Sequence, residues 1–298
     1  MNNFIILLTH RCNYRCPHCY DIEKDNLCDD KTILNDTKKI LKGLKRLGVR
    51  DVEFSGGECT LFKYLEDVLK FAKKLKFKTS IFSNGWTDLS KYQDYIDKIN
   101  LSIDGNEGTH NKIRGNENVF KNVIANIKKF YKSKIPINIQ CTINKNNIRN
   151  LNFIDEVVEV INTEKDSIIL EAMVSTLSPK ANNLLLNDSE NCKLYNYALE
   201  LLEKKNYHLN ISTNLFNINS DFKLNVNKTN MPVFIDVPNK KYYLDLNLSS
   251  YVLNTKKIET EAIFKEVEKA VTIFNARNYN GTLNIENILI DILKNRSH

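Results

Sequence analysis

Apolar runs of strand length alternate with longer stretches of helical periodicity through the first half of this chain, and that alternation leaves few folds open. The strand-like runs fall at residues 4–8, 52–54, 78–82, 99–103, 135–143 and 168–174, and helical patterns at 32–47, 62–75, 119–131 and 151–161 lie between them. Strands separated in this way run parallel, with right-handed crossovers that cover at least one face of the sheet. Six such units give an α/β fold and fall short of the eight strands of a closed barrel.

With 298 residues, the chain has room for one large α/β domain or for one domain plus a sizeable appendage. It has no apolar run of about eighteen residues, and the apolar start is broken by Thr9, His10 and Arg11 without a small-residue cleavage site. The expectation is a cytoplasmic protein with no membrane association. Seven cysteines, an odd number weighted to the front, suit a reducing compartment better than a disulfide framework. The net charge of +7 comes largely from scattered lysines such as Lys38, Lys42, Lys73 and Lys74 on predicted helix faces. Such charges mark solvated faces and do not by themselves select an acidic peptide or a nucleic acid as partner.

Eight of the nine glycines precede residue 116, and Gly56, Gly57, Gly85 and Gly105 stand where strands are expected to end. Parallel α/β barrels place their chemistry at those C-terminal strand ends, so the working face belongs to the first half of the chain.

After the first strand comes Cys12-Asn-Tyr-Arg-Cys16-Pro-His-Cys19-Tyr. Three thiolates at this spacing can hold three irons of a cubane cluster and leave the fourth iron open. A structural zinc site that draws its fourth ligand from Cys28, His18 or His10 is the alternative, since zinc accepts thiolate and imidazole. Zinc ribbons, however, pair one Cys-x2-Cys with another farther along, and no second pair is present.

The C-x3-C-x2-C pattern with the aromatic His18 before its last cysteine resembles the signature of the radical S-adenosylmethionine (SAM) superfamily. The resemblance implies a partial (β/α)6 TIM-like barrel over about residues 3–175 and a single 4Fe-4S cluster on Cys12, Cys16 and Cys19. It also implies SAM chelated to the open iron and an external electron donor of flavodoxin or ferredoxin type. An oxygen-sensitive cluster of this kind favours an anaerobic cell.

Ser55-Gly56-Gly57-Glu58 after the second strand matches the family's GGE motif, which implies contact with the SAM amino group. Cys59 stands where the family most often has proline; it reads either as a small buried residue or as a thiol close enough to donate hydrogen to a radical. In the fourth strand Asn100, Ser102 and Asp104 share one face, and in the fifth Asn138, Gln140, Thr142 and Asn144 do. With helices on the apolar face, these polar rows point into the lumen, while Cys141 faces the helices. The stretch from Gly108 to Arg114 resembles the peptide-modifying, SPASM-like branch of the superfamily, which implies that Ser102 and Arg114 contact the ribose and carboxylate of SAM. An arginine suits a carboxylate because its planar fork donates two parallel hydrogen bonds. By the same resemblance Ser83 and Asn84 lie near SAM, and His18 and Tyr20 flank adenine; Asp104 and Gln140 join the cofactor-binding set from their place in the polar lumen rows, which suit a polar ligand. Glu171 faces the lumen together with Ile169 and Met173 if the sixth strand has that register. His110 has no assigned chemistry.

Residues 176–298 read as an α+β extension, a cap or substrate dock, with a helix near 191–205, short strands near 233–235 and 242–246, and helices near 259–275 and 285–293. The only cysteine beyond Cys141 is Cys192, so the auxiliary clusters common in the SPASM-like branch cannot be built there. The expected substrate is a peptide or protein, cross-linked or epimerised. A small-molecule radical enzyme or a glycyl-radical activase is the alternative, and a nucleic-acid module is disfavoured.

Overall fold

The computed structural model describes residues 4–20, 25–46, 48–130, 133, 135–161, 166–172, 179–187, 189–190, 193–194, 197, 208–212, 217–218, 224–225, 233–239, 241–243 and 253–254. The expected helices near 259–275 and 285–293, most of that near 191–205, Met173 and Cys192 lie outside these residues.

Element order follows the sequence alternation: β1 (Phe4–Leu7), α1 (Asp30–Arg46), β2 (Asp51–Ser55), α2 (Leu65–Lys74), β3 (Lys78–Ser83), β4 (Lys98–Ser102), α3 (Glu107–Arg114), α4 (Val119–Phe130), β5 (Ile137–Ile143), α5 (Phe153–Val158), β6 (Ser167–Ala172) and α6 (Pro179–Asn182). There follow β7 (His208–Ser212), β8 (Asn217–Ile218), β9 (Leu224–Asn225), β10 (Val233–Asp236), β11 (Lys241–Tyr243) and β12 (Leu253–Asn254). Between β3 and β4 the crossover is a 3-10 helix, Ser90–Tyr95.

The strands form one sheet in the order β12-β11-β10-β1-β2-β3-β4-β5-β6-β7-β8-β9. From β10 to β7 every neighbouring pair is parallel. The outer pairs on both sides are antiparallel. The six expected parallel strands are β1 to β6, and two further parallel strands adjoin them, β7 beside β6 and β10, expected near 233–235, beside β1. These additions from the extension lengthen the sheet at both edges.

Helices form where one apolar stripe can be buried. In α1, Ile33, Leu34, Thr37, Ile40, Leu41 and Leu44 are buried, an i, i+4, i+7 stripe. The Asp29 carboxylate caps its start, accepting from the N–H groups of Lys31 and Thr32. In α2 the buried set is Leu65, Val68, Leu69 and Ala72. These stripes and the outward residues of the strands, among them Phe54, Ile81, Ile99, Ile139 and Leu170, make the main core.

On the other face the strand alternation appears directly. In β5 Ile137, Ile139, Cys141 and Ile143 are buried under the helices, while Asn138, Gln140 and Thr142 are half-buried in the lumen. Register then carries Ser167, Ile169 and Glu171 of β6 onto the lumen face. Cross-strand bonds join this wall: Asn138 Nδ2 donates to Asn100 Oδ1 (2.9 Å), Ser167 Oγ to Asn138 Oδ1 (2.5 Å), and Gln140 Nε2 to Glu171 Oε2 (2.7 Å). The lumen is not polar throughout, as the alternation in β4 and β5 alone suggested. Ile5 and Leu7 of β1 and Phe234 of β10 form a second apolar cluster with Tyr20 and Phe82 packed against it.

Candidate active site

The cysteine loop leaves β1 through Thr9, His10 and Arg11, and the turn after β2 grips that root. Gly57 donates its N–H to Thr9 O (2.6 Å) and Glu58 to Arg11 O (2.9 Å). A Cβ on Gly56 would stand 2.4 Å from Thr9 O, and one on Gly57 would stand 2.6 Å from both His10 O and Arg11 O. The two glycines are thus required by backbone-to-backbone contact. Asn26, beyond the loop, accepts from His10 N–H (2.8 Å).

Within the loop Cys19 N–H bonds to Cys16 O (3.1 Å), and the Arg15 guanidinium donates to Cys12 O (2.7 Å) and Tyr14 O (2.8 Å). Cys12, Cys16 and Cys19 form no disulfide, and all three are half-buried. Burial pushes the Cys16 thiol up to about 11, against the pull of the Arg114 charge. It raises Cys12 as well, opposed by the Tyr14 N–H that Cys12 Sγ accepts. Metal binding at such thiols releases protons.

Above the triad lies a buried charged pair. Arg114, the last residue of α3, puts Nη2 2.6 Å and Nε 2.7 Å from Asp104 Oδ2. Asp104 is also held at its backbone: His110 Nδ1 accepts its N–H (3.0 Å), and Asn147 Nδ2 donates to its carbonyl (2.9 Å). Because Nδ1 accepts, the neutral imidazole carries its proton on Nε2. Burial lowers the His110 pKa to about 4 despite Asp104 nearby. For Asp104, burial acts to raise the pKa, yet the Arg114 charge and the neighbouring imidazoles hold it below the usual carboxylate value.

The Glu58 carboxylate ties strand ends together. Oε1 accepts from Thr60 N–H, Thr60 Oγ1 and Ser83 Oγ, and Oε2 from Asn84 N–H (2.7 Å). Burial raises its pKa, countered by those donors. A second lone pair remains at Oε2 for a further donor. Asn84 Nδ2 in turn donates to Asn13 Oδ1 in the cysteine loop (2.8 Å), and Asn126 of α4 anchors the Asn84–Thr87 turn through the carbonyls of Gly85 and Thr87. Ser102 and Gln140 lie on the lumen wall, opposite one another in the register, and Tyr20 packs on the apolar wall.

Several buried polar atoms in this region have no protein partner: Tyr14 OH, His18 Nδ1, Asp104 Oδ1 and His110 Nε2. They belong to the cysteine loop, to the charged pair above it and to the imidazole that holds Asp104. Unpaired buried polar atoms are costly, and these fit a polar ligand seated beside the thiols. Among the described residues no three thiols, imidazoles or carboxylates are grouped closely enough to share a single metal ion, as structural zinc requires; the soft thiolate donors suit an iron–sulfur cluster, in which each thiolate holds its own iron, and the unpartnered polar atoms suit SAM. His10 is not placed as a zinc ligand through Nε2, because that atom faces Asp236 and Asn239.

Cys59 requires correction. Its side chain is fully buried in the main core and its thiol donates to Phe82 O (2.9 Å), so it does not open on the lumen. Cys141 is buried under the helices, as its alternation indicated. Sequence reading missed α3, whose signals were Asn106, which accepts from Thr109 N–H, and Gly115, left-handed at φ 72°. It also missed the contact of His10 with Asp236.

The radical SAM superfamily model matches residues 6–166, more than half of the chain. The protein belongs to that superfamily, whose enzymes work with a 4Fe-4S cluster and SAM. Among individual proteins, it is 31% identical over 164 residues to the sporulation killing factor maturation protein SkfB of Bacillus subtilis, covering 52% of this chain and 37% of SkfB. It is 27% identical over 157 residues to Fe-coproporphyrin III synthase of Methanosarcina barkeri, covering 51% and 39%. The chain aligns with less than half the length of either relative. In fold it is similar to Streptococcus suis SuiB, solved with SAM (TM-score 0.66, 18% identity, 88% of this chain and 65% of that one) and with its precursor peptide SuiA (TM-score 0.65, 18% identity, 86% and 62%). Among the described residues no helix is long and apolar enough to cross a membrane.

Proposed function

We propose that this enzyme modifies a peptide or protein substrate by hydrogen-atom abstraction. The observation that carries the reading is the two-sided lumen, in which the polar wall of Asn100, Asn138, Gln140 and Glu171 faces away from the helices on the same sheet as the apolar group of Ile5, Leu7 and Phe234. A peptide presents amides and apolar side chains together, and such a surface can pair both. SkfB, a maturation protein by name, and SuiB, solved with a precursor peptide, support the same direction.

When bound, the cluster and SAM together supply a 5'-deoxyadenosyl radical. The residues of this chain hold and orient. Cys12, Cys16 and Cys19 ligate iron. Arg114, fixed on one edge by Asp104, presents its remaining N–H groups to a carboxylate. Asp104 Oδ1, without a protein partner, accepts from a polar ligand group, and Oε2 of Glu58 takes an ammonium donor. Tyr20 and Phe82 shield the apolar side from water.

An external donor of flavodoxin or ferredoxin type supplies the electron that cleaves SAM; with Cys192 the only cysteine after Cys141 in this sequence, the electron released by an oxidative cross-link must return to the SAM cluster or pass to an external acceptor, so a redox-neutral outcome such as epimerisation stands beside cross-linking. Cys59, shut into the core, is no longer the hydrogen donor of choice.

The test is anaerobic reconstitution, followed by mass spectrometry in deuterated water on the peptide encoded nearest the gene. About four irons per chain are expected. Loss of a hydrogen pair indicates cross-linking, and gain of one deuterium without other change indicates epimerisation. SAM cleavage that alters no candidate peptide but converts a small metabolite would overturn the reading, and Fe-coproporphyrin III synthase marks that outcome.

A further inference from the structure

His10 stands just before the first cysteine and is 4% exposed. Its Nε2 lies 3.0 Å from Asp236 Oδ1 and 2.9 Å from Asn239 Nδ2. Asp236 ends β10, 226 residues away in sequence, and is 1% exposed. Asn239, in the turn that follows, donates its backbone N–H to Asp236 Oδ1 (3.0 Å) and its amide to Oδ2 (3.0 Å). The carboxylate therefore faces the imidazole with its own orientation fixed by the hairpin turn. The hairpin is itself locked to β1 in parallel register, Leu7 opposite Asp236, and Val237 N–H bonds to Leu7 O (3.3 Å).

Two separate elements thus meet at the root of the cysteine loop. The β2 turn holds the backbone of Thr9 and Arg11, and the β10–β11 hairpin holds the side chain of His10 between them. Nothing in the charged pair above the triad or in the lumen wall explains a buried imidazole–carboxylate contact at this point. A neighbour that fixes the orientation of a metal-binding loop from outside the ligand set changes how firmly the metal is held.

We propose that His10 is a positioning residue for the cysteine loop, oriented by Asp236 and Asn239, and that the β10–β11 hairpin is thereby a working part of the cluster site. The proposal rests on cluster ligation by Cys12, Cys16 and Cys19 and is independent of the substrate.

Full-length protein is reconstituted anaerobically and iron release to a ferrous chelator is timed for wild type, Asp236→Ala, Asp236→Asn and His10→Gln. Asp166→Ala is the control: Asp166 is equally buried, but it accepts from Ile137 N–H at the opposite end of the sheet strands. Asp236→Ala should release iron on the order of ten-fold faster than wild type, with Asp236→Asn between them. The reduced cluster's electron paramagnetic resonance signal should change in Asp236→Ala and His10→Gln, but not in Asp166→Ala. In metal-free protein, amide exchange at residues 9–12 should accelerate in the same two variants. If Asp236→Ala does not fold, His10→Gln and Asp236→Asn carry the test. Wild-type release rates and spectra in the folded variants, or equal acceleration in Asp166→Ala, would overturn the proposal. Wild type that takes up no iron would instead overturn the cluster assignment beneath it.

Discussion

Arg114 and Asp104 form a buried pair that uses one carboxylate oxygen twice: Nε and Nη2 both approach Oδ2, at 2.7 and 2.6 Å, and Oδ1 has no partner. A pair built only for stability would be expected to satisfy both oxygens. Leaving one acceptor and part of the guanidinium unpaired suits a site that receives a ligand.

Arg114→Ala should weaken SAM binding about ten- to hundred-fold, the loss of one charge-assisted contact, while iron content stays at the wild-type level. Equilibrium binding on reconstituted protein measures the first and a colorimetric iron assay the second. Unchanged affinity would remove Arg114 from the cofactor site.

The buried neutral His110 makes stability depend on pH. Its folded pKa of about 4 lies below the ordinary histidine value of 6.5, so the unfolded chain takes up a proton first as pH falls. Its contribution is complete above pH ~6.5 and is lost progressively towards pH ~4, about 3 kcal/mol in all. Urea unfolding of the metal-free protein across this window should show that slope in wild type. His110→Gln should flatten it; an unchanged slope would show that His110 is not its source.

Thiol reactivity should sort by burial. In metal-free protein, Cys16, with its pKa at about 11, should alkylate slowly at neutral pH and faster by about ten-fold for each pH unit below that value. Cys59 and Cys141, buried and raised well above the normal thiol value by burial, should stay unmodified until the protein unfolds. Peptide mapping after timed iodoacetamide treatment reads both, and early labelling of Cys59 would contradict its place in the core.

Gly57→Ala should destabilise the protein by about 1–3 kcal/mol and lower iron retention, because the added methyl meets two carbonyl oxygens of the loop root at 2.6 Å. Gly108→Ala, with open space around its Cβ position, is the matched control. Equal thermal unfolding temperatures for the two would refute the close-contact account.

Much of this was legible because period and register are local. The alternation of Asn138, Gln140 and Thr142 with Ile137, Ile139 and Cys141 predicts two faces, and burial in β5 follows it residue by residue. Glu171 was undecided in sequence, since one residue of slip reverses a strand; pairing with Thr142 sets it on the lumen face. The strand β7 was hidden by Asn-rich surroundings, although Leu209 and Ile211 stand opposite Ile168 and Leu170 in the register. Cys59 looked close to the chemistry because Glu58 is, but the 3-10 turn Cys59–Leu61 sends consecutive side chains in different directions. His10 and Asp236 carry no local signal of each other, since only the pairing of β10 with β1 brings them together.

That pairing has a consequence for how the protein is made. The thiols of Cys12, Cys16 and Cys19 leave the ribosome early and β2 soon after, but the second partner of the strand before them follows only with β10. The 226 residues separating His10 from Asp236 take about 10–45 seconds to synthesise at ordinary rates. Over that interval the loop root lacks one of its two supports, and cluster insertion into a finished site must wait for the hairpin.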